Sequence, residues 1–108
     1  MSYHVRLTAR AQTDLDQLFR TLTERSPARA ERLSNRFDDS LKRLETFPYS
    51  CGIAHENPRF TEELRHLLFW VHPQRKYRAL FVVREDEVVV LAIRAPGERP
   101  VTPEDVEN

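Results

Sequence analysis

Three arginines interrupt the apolar stretches between residues 64 and 94: Arg65 follows Leu64, Arg78 follows Tyr77, and Arg94 follows Ile93. A guanidinium is permanently charged and offers five N–H donors in a planar fork, which suits bidentate contact with phosphate or carboxylate. RNA cleavage by 2′-OH attack needs such cations for the phosphorane charge, plus groups that take and give protons. Arginine stays protonated and fills only the first role. A base then has to come from Glu63, His66, His72 or Tyr77. The competing reading pairs the same arginines with Glu62, Glu63 or the acidic turn at 85–87, as in ordinary surface ion pairs. A second set, Trp70, Arg75, Lys76, Tyr77 and Phe81, combines aromatic and cationic side chains of the kind that anchor protein interfaces.

Other chemistries find little support. His4, His55, His66 and His72 with Cys51 lack metal-ligand spacing, so no metal is expected. Gly52 and Gly97 are the only glycines, which leaves no phosphate-cradling loop and implies no cofactor. Cys51 is alone, so no disulfide forms and a reducing, cytoplasmic setting is expected. The N-terminus has no apolar signal core, and no apolar run reaches the length of a membrane span. The formal charge is +0. The last fourteen residues hold four carboxylates against Arg99, leaving −3 there and +3 over residues 1–94. That bias falls short of a nucleic-acid signature.

The elements that position these residues follow from periodicity. Tyr3, Val5 and Leu7 alternate with polar residues, predicting a half-buried strand, and Thr8 can cap a helix directly after it. Ala11, Leu15, Leu18 and Leu22 form the stripe of an amphipathic helix over 9–24. Ser26-Pro27 restarts the chain as N-cap and first helical residue. The second helix carries Ala30, Leu33, Phe37, Leu41 and Leu44 until Phe47-Pro48 ends it near Thr46. Residues 48–63 read as a loop. Runs at 64–71, 77–83 and 88–93 have the length and the β-branched or aromatic content of strands, joined by turns at 73–76 and 84–87. The reading is an α+β domain over 1–95: an N-terminal strand, an α-helical hairpin and a three-stranded antiparallel meander. A Pro-rich acidic tail occupies 96–108 and is expected to fray.

The meander has more apolar surface than two helices can cover. In its middle strand Tyr77, Ala79, Phe81 and Val83 share one face, while Leu80 and Val82 share the other with Arg78 and Arg84. Strands apolar on both faces need cover on both. The second cover is expected from a protein partner or a homodimer, with the tail folding back as the alternative.

These residues, in this order, resemble the RelE/ParE superfamily of bacterial type II toxins. The likeness runs over about residues 3 to 94, through Tyr3-x-Val5, Ala11-x-x-Asp14-Leu15, Leu44-x-x-Phe47-Pro48, Glu63-Leu64-Arg65, Tyr77-Arg78-x-x-Phe81 and Val88-x-Val90-Leu91-x-Ile93. The resemblance implies the βααβββ order and a toxin neutralised by a cognate antitoxin whose extended or helical segment wraps it. It also implies one of two activities. RelE-like members cleave mRNA on the ribosome with basic residues of the sheet, here matched by Arg65 and Arg78 with Arg94 as a further candidate cation, and often a C-terminal Tyr or His. ParE-like members inhibit DNA gyrase and are not themselves enzymes. This chain has Glu63 where the ribonuclease pattern has a Lys, Ala95 nearest the place of the His, no Tyr after Tyr77 and no His after His72. The expectation is therefore a ParE-like toxin acting by protein binding. The alternatives are a ribosome-dependent endonuclease and a degenerate, non-toxic member serving as a binding module.

Overall fold

The computed structural model describes residues 2–106. Strand β1 (His4–Leu7) runs into helix α1 (Ala9–Arg25) through Thr8. The Thr8 hydroxyl oxygen accepts from the Ala11 N–H at 3.1 Å, the bond that ends a strand and starts a helix. Ser26 alone separates α1 from α2 (Pro27–Thr46). Its N–H donates to the Leu22 carbonyl, closing α1, and its Oγ accepts from Arg29 N–H, opening α2. The helix stripes are those expected: Ala11 and Leu15 of α1 and Leu33, Phe37 and Leu44 of α2 are buried, with Leu18, Leu22 and Leu41 packed beside them.

Five strands form one sheet. After β1 come β2 (Gly52–Ile53), β3 (Arg65–His72), β4 (Arg75–Arg84) and β5 (Glu87–Arg94), in the spatial order β1-β5-β4-β3-β2. Strand β1 lies parallel to β5, and the remaining pairs are antiparallel. Two boundaries differ from expectation. The 48–63 stretch contains β2 between 3-10 turns at Pro48–Ser50 and Asn57–Arg59; two residues are too few to leave an alternating pattern. The hairpin turns are also shorter, Pro73-Gln74 and Glu85-Asp86, with Arg75, Lys76, Arg84 and Glu87 inside strands. Glu85 has φ 55°, a positive value of the kind that matches tight hairpin turns to strand twist.

The sheet has two cores. Leu67, Phe69, Tyr77, Ala79, Phe81 and Val90 face the helices. Leu64, Leu80, Val82, Val89 and Leu91 face away. A bulge at Leu80/Phe81 leaves Leu91 without a cross-strand partner and turns both Leu91 and Ala92 into the second core. The expectation that this face waits for a partner is corrected here: the tail covers it. Val101 and Val106 are buried against Leu80, Val82, Val89 and Leu91, and residues 103–106 form a 3-10 turn. The tail is ordered over 101–106 because two valines remove apolar surface from water at about 25 cal/mol per Å². Glu107 and Asn108 lie outside the described residues. Among the described residues, no helix is long and apolar enough to cross a membrane.

Candidate functional site

Sheet register separates the three arginines. Residues directly opposite on neighbouring strands share a face, and Arg65 stands opposite Phe81, on the helix side. Arg78 stands opposite Leu68 on β3 and opposite Arg94 on β5, on the side covered by the tail. The three candidate cations therefore divide into an adjacent pair, Arg78 and Arg94, and Arg65 on the other face.

Arg78 is held by a residue that sequence reasoning missed. Glu56, from the turn after β2, receives two bonds from its guanidinium, NH1 to Oε1 at 2.8 Å and NH2 to Oε2 at 2.6 Å. The Val101 N–H donates to the same Oε2 at 3.0 Å, so one carboxylate ties strand β4 to the tail. The Glu56 side chain is 1% exposed. Burial alone would raise its pKa, but the Arg78 and Val101 hydrogen bonds and the Arg78 charge bring it down to about 2. Nothing in His55-Glu56-Asn57-Pro58 marks the residue as a ligand, because its partners are 22 and 45 positions away.

Arg78 also reaches His66 on β3, with NH1 3.2 Å from Nδ1. Arginine can only donate, so a hydrogen bond here uses Nδ1 as the acceptor, a role only the neutral ring can fill. Burial first, and the Arg78 charge second, lower the His66 pKa. An open groove of about 390 Å³ runs past His55, His66, Lys76 and Arg78 to Gly97 and Glu98. It brings two imidazoles and two cations together, the ingredients of proton transfer and anion contact.

Arg94 is enclosed more tightly, its side chain 7% exposed. It donates to Glu98 at 3.2 Å and to Asp105 at 3.4 Å, and its buried Nε has no partner among the described residues. Asp105 in turn takes two 2.7 Å bonds from Arg99 and one from the Thr102 N–H, and these hold its carboxyl far below the usual range. The acidic tail thus supplies the counter-charge of Arg94. Arg65 donates to the Cys51 carbonyl at 2.6 Å and to Glu63 at 2.9 Å, beneath the Tyr49 ring at 5.1 Å. Of the expected pairings only Arg65 with Glu63 forms as an arginine–carboxylate bond of this trio; Glu62 pairs with Arg84 instead.

Of the expected contact residues, Trp70, Arg75 and Lys76 lie at the surface around the β3–β4 hairpin. Tyr77 stacks on Phe69 at 5.7 Å within the core, and Phe81 is fully buried; neither offers surface to a partner in this fold. Phe47 and Tyr49, 69% and 56% exposed, are additional surface aromatics. Their signal was Phe47-Pro48-Tyr49, read only as a helix stop.

The short β2 adds one strand to the expected βααβββ order, and the family model of the ParE toxin of the type II toxin-antitoxin system, parDE, matches residues 5–99. The chain belongs to the ParE toxin family. No curated protein matches this ParE-family chain. Among solved structures it is similar to a chain of the chromosomal ParDE TA system from P. aeruginosa, with a TM-score of 0.66 and 21% identity over 87% of this chain and 96% of that one. At that identity the likeness speaks to the fold. The family match extends past β5 into residues 95–99, where Glu98 meets Arg94.

Proposed function

We propose that this chain is the toxin of a type II toxin-antitoxin module, that it acts by binding DNA gyrase, and that a cognate antitoxin neutralises it. One observation carries the protein-binding reading over a catalytic one. Arg78 and Arg94 are each engaged by carboxylates of their own chain, so a phosphate would have to displace Glu56 or Asp105 to reach them. The family match supports the toxin assignment. Expression in a growing bacterium without the antitoxin is expected to arrest growth, and the purified protein to block supercoiling of relaxed plasmid by gyrase. Arrest with unimpaired supercoiling overturns the gyrase target. No arrest overturns toxicity and leaves a binding module.

A second reading, a ribosome-dependent endonuclease, is favoured by the groove that joins His55, His66, Lys76 and Arg78. There His66 would move the proton and Lys76 would meet the phosphate, with Arg65 too far round the sheet to take part. It requires cleavage of translated mRNA, abolished by Arg78→Ala in a chain that still folds. Intact mRNA during growth arrest rules it out.

A further inference from the structure

Cationic residues gather where the two helices meet. Arg20 and Arg25 belong to the last turns of α1, and Arg29, Arg32 and Arg36 to the first half of α2. Against these five stand Glu24 and Glu31, a net of 5 − 2 = +3 over residues 20–36, which equals the whole excess of residues 1–94. All five arginines are exposed, and among the described residues none of them forms an ion pair. Arg65, Arg78, Arg84, Arg94 and Arg99, by contrast, each meet a carboxylate of their own chain. Spacings of three and four place Arg29, Arg32 and Arg36 on one flank of α2, beside the buried stripe of Ala30, Leu33 and Phe37. Glu31 and Asp38 fall on the other flank, and Asp39 ends the row of arginines. The fold keeps this end of the hairpin away from the tail carboxylates. The tail packs on the sheet face turned from the helices, where Val101 and Val106 enter the second core. A chain with a formal charge of +0 thus carries a local basic surface of the kind that meets polyanions.

We propose that this end of the helical hairpin contacts the phosphate backbone of a nucleic-acid duplex without reading its sequence. Arg29 to Arg36 spans about 10 Å of helix axis at about 1.5 Å per residue. A duplex presents one charge per about 1.7 Å of its own axis, so several phosphates lie within reach of the guanidinium forks. Residues 20–36 hold no aromatic side chain. A single strand, gripped by stacking its bases on aromatic rings, finds no platform there. Phosphate contacts fix the orientation of a protein on a duplex and carry no sequence information. Arg78 and Arg94 lie on the other side of the sheet, so the gyrase and endonuclease readings stand or fall separately from this one.

The test titrates the full chain against a fluorescein-labelled duplex of mixed sequence, about 20 base pairs long, made as DNA and as RNA, and follows anisotropy from about 50 to about 200 mM salt. Affinity for the duplex is expected to fall about a hundredfold over that range, as for about four phosphate contacts, and the tighter of the two duplexes identifies the natural ligand. Arg32→Glu is expected to weaken binding about tenfold at the low-salt end and to reduce the salt slope by about 1. Arg59→Glu makes the same change in net charge at an exposed position beside the tail and is expected to leave both quantities unchanged. Arg29→Glu repeats the first substitution on the same flank and keeps the test decisive if Arg32→Glu does not fold. Overturning results are no binding at about 50 mM salt, an equal loss with Arg59→Glu, tighter binding to the corresponding single strand, or tighter binding to poly-glutamate of equal charge, which would make the surface a dock for an acidic protein.

Discussion

Glu56→Gln is the sharpest perturbation of this molecule. Glutamine keeps the size and one acceptor oxygen but removes the charge, leaving Arg78 with a 12% exposed side chain and no counter-ion. Two routes give the magnitude. A carboxyl lowered from 4.5 to about 2 prefers its charged form in the fold by about 3 kcal/mol, at about 1.4 kcal/mol per pH unit. Removing one partner of a buried ion pair costs about 3–5 kcal/mol in general. For a domain whose total stability is about 5–15 kcal/mol, the loss is a large share. The sign with pH is fixed: the folded pKa lies below the unfolded one, so the contribution is complete above about pH 4.5 and disappears as pH falls through about 2. Urea unfolding at a series of pH values reads both quantities. Wild type and Glu56→Gln are expected to differ by about 3 kcal/mol at pH 7 and to converge toward pH 2. The double variant Glu56→Leu/Arg78→Met should lose far less than the two single losses combined, because replacing both partners leaves no orphaned charge. A difference under about 0.5 kcal/mol at pH 7, within the range of ordinary surface changes, would refute the argument.

Val101→Asp puts a carboxylate into the second core, and a loss of about 3 kcal/mol or more is expected, with increased binding of a hydrophobic dye as the tail lifts from Leu80 and Val82. Glu85→Gly relieves the positive φ of the β4–β5 turn and should raise stability by about 0.5–1 kcal/mol, read as a higher Tm. His66 is expected to titrate below 6.5 by NMR, because burial and Arg78 disfavour its charged form; Arg78→Met should move it upward, and an unchanged value would disprove the contact.

Much of the fold is legible from the chain. The caps at Thr8 and Ser26 each satisfy local N–H groups, so their role can be read from residues three positions away. The helix stripes and the two-faced strands repeat at periods of 3.6 and 2, and the burial of Leu15, Leu33 and Phe37 on one side and Leu80 and Val82 on the other obeys them. The surplus of apolar surface was readable too, but not its cover. Val101 and Val106 stand among prolines and carboxylates with no periodicity, and a two-residue strand such as β2 has none to show.

The arginines divide along the same line. Sequence alone determined which residues are cationic and that none of the three can transfer a proton, because both are properties of the side chain. Tertiary structure decided what each one faces. A guanidinium finds its partner through space: Arg78 takes Glu56 from 22 positions away, Arg94 takes Asp105 from the returning tail, and register places Arg65 on the opposite face. Pairing across such distances depends on where the strands and the tail meet, which no local pattern encodes, and it turns Arg78 and Arg94 from apparent phosphate ligands into ties that close the second face of the sheet.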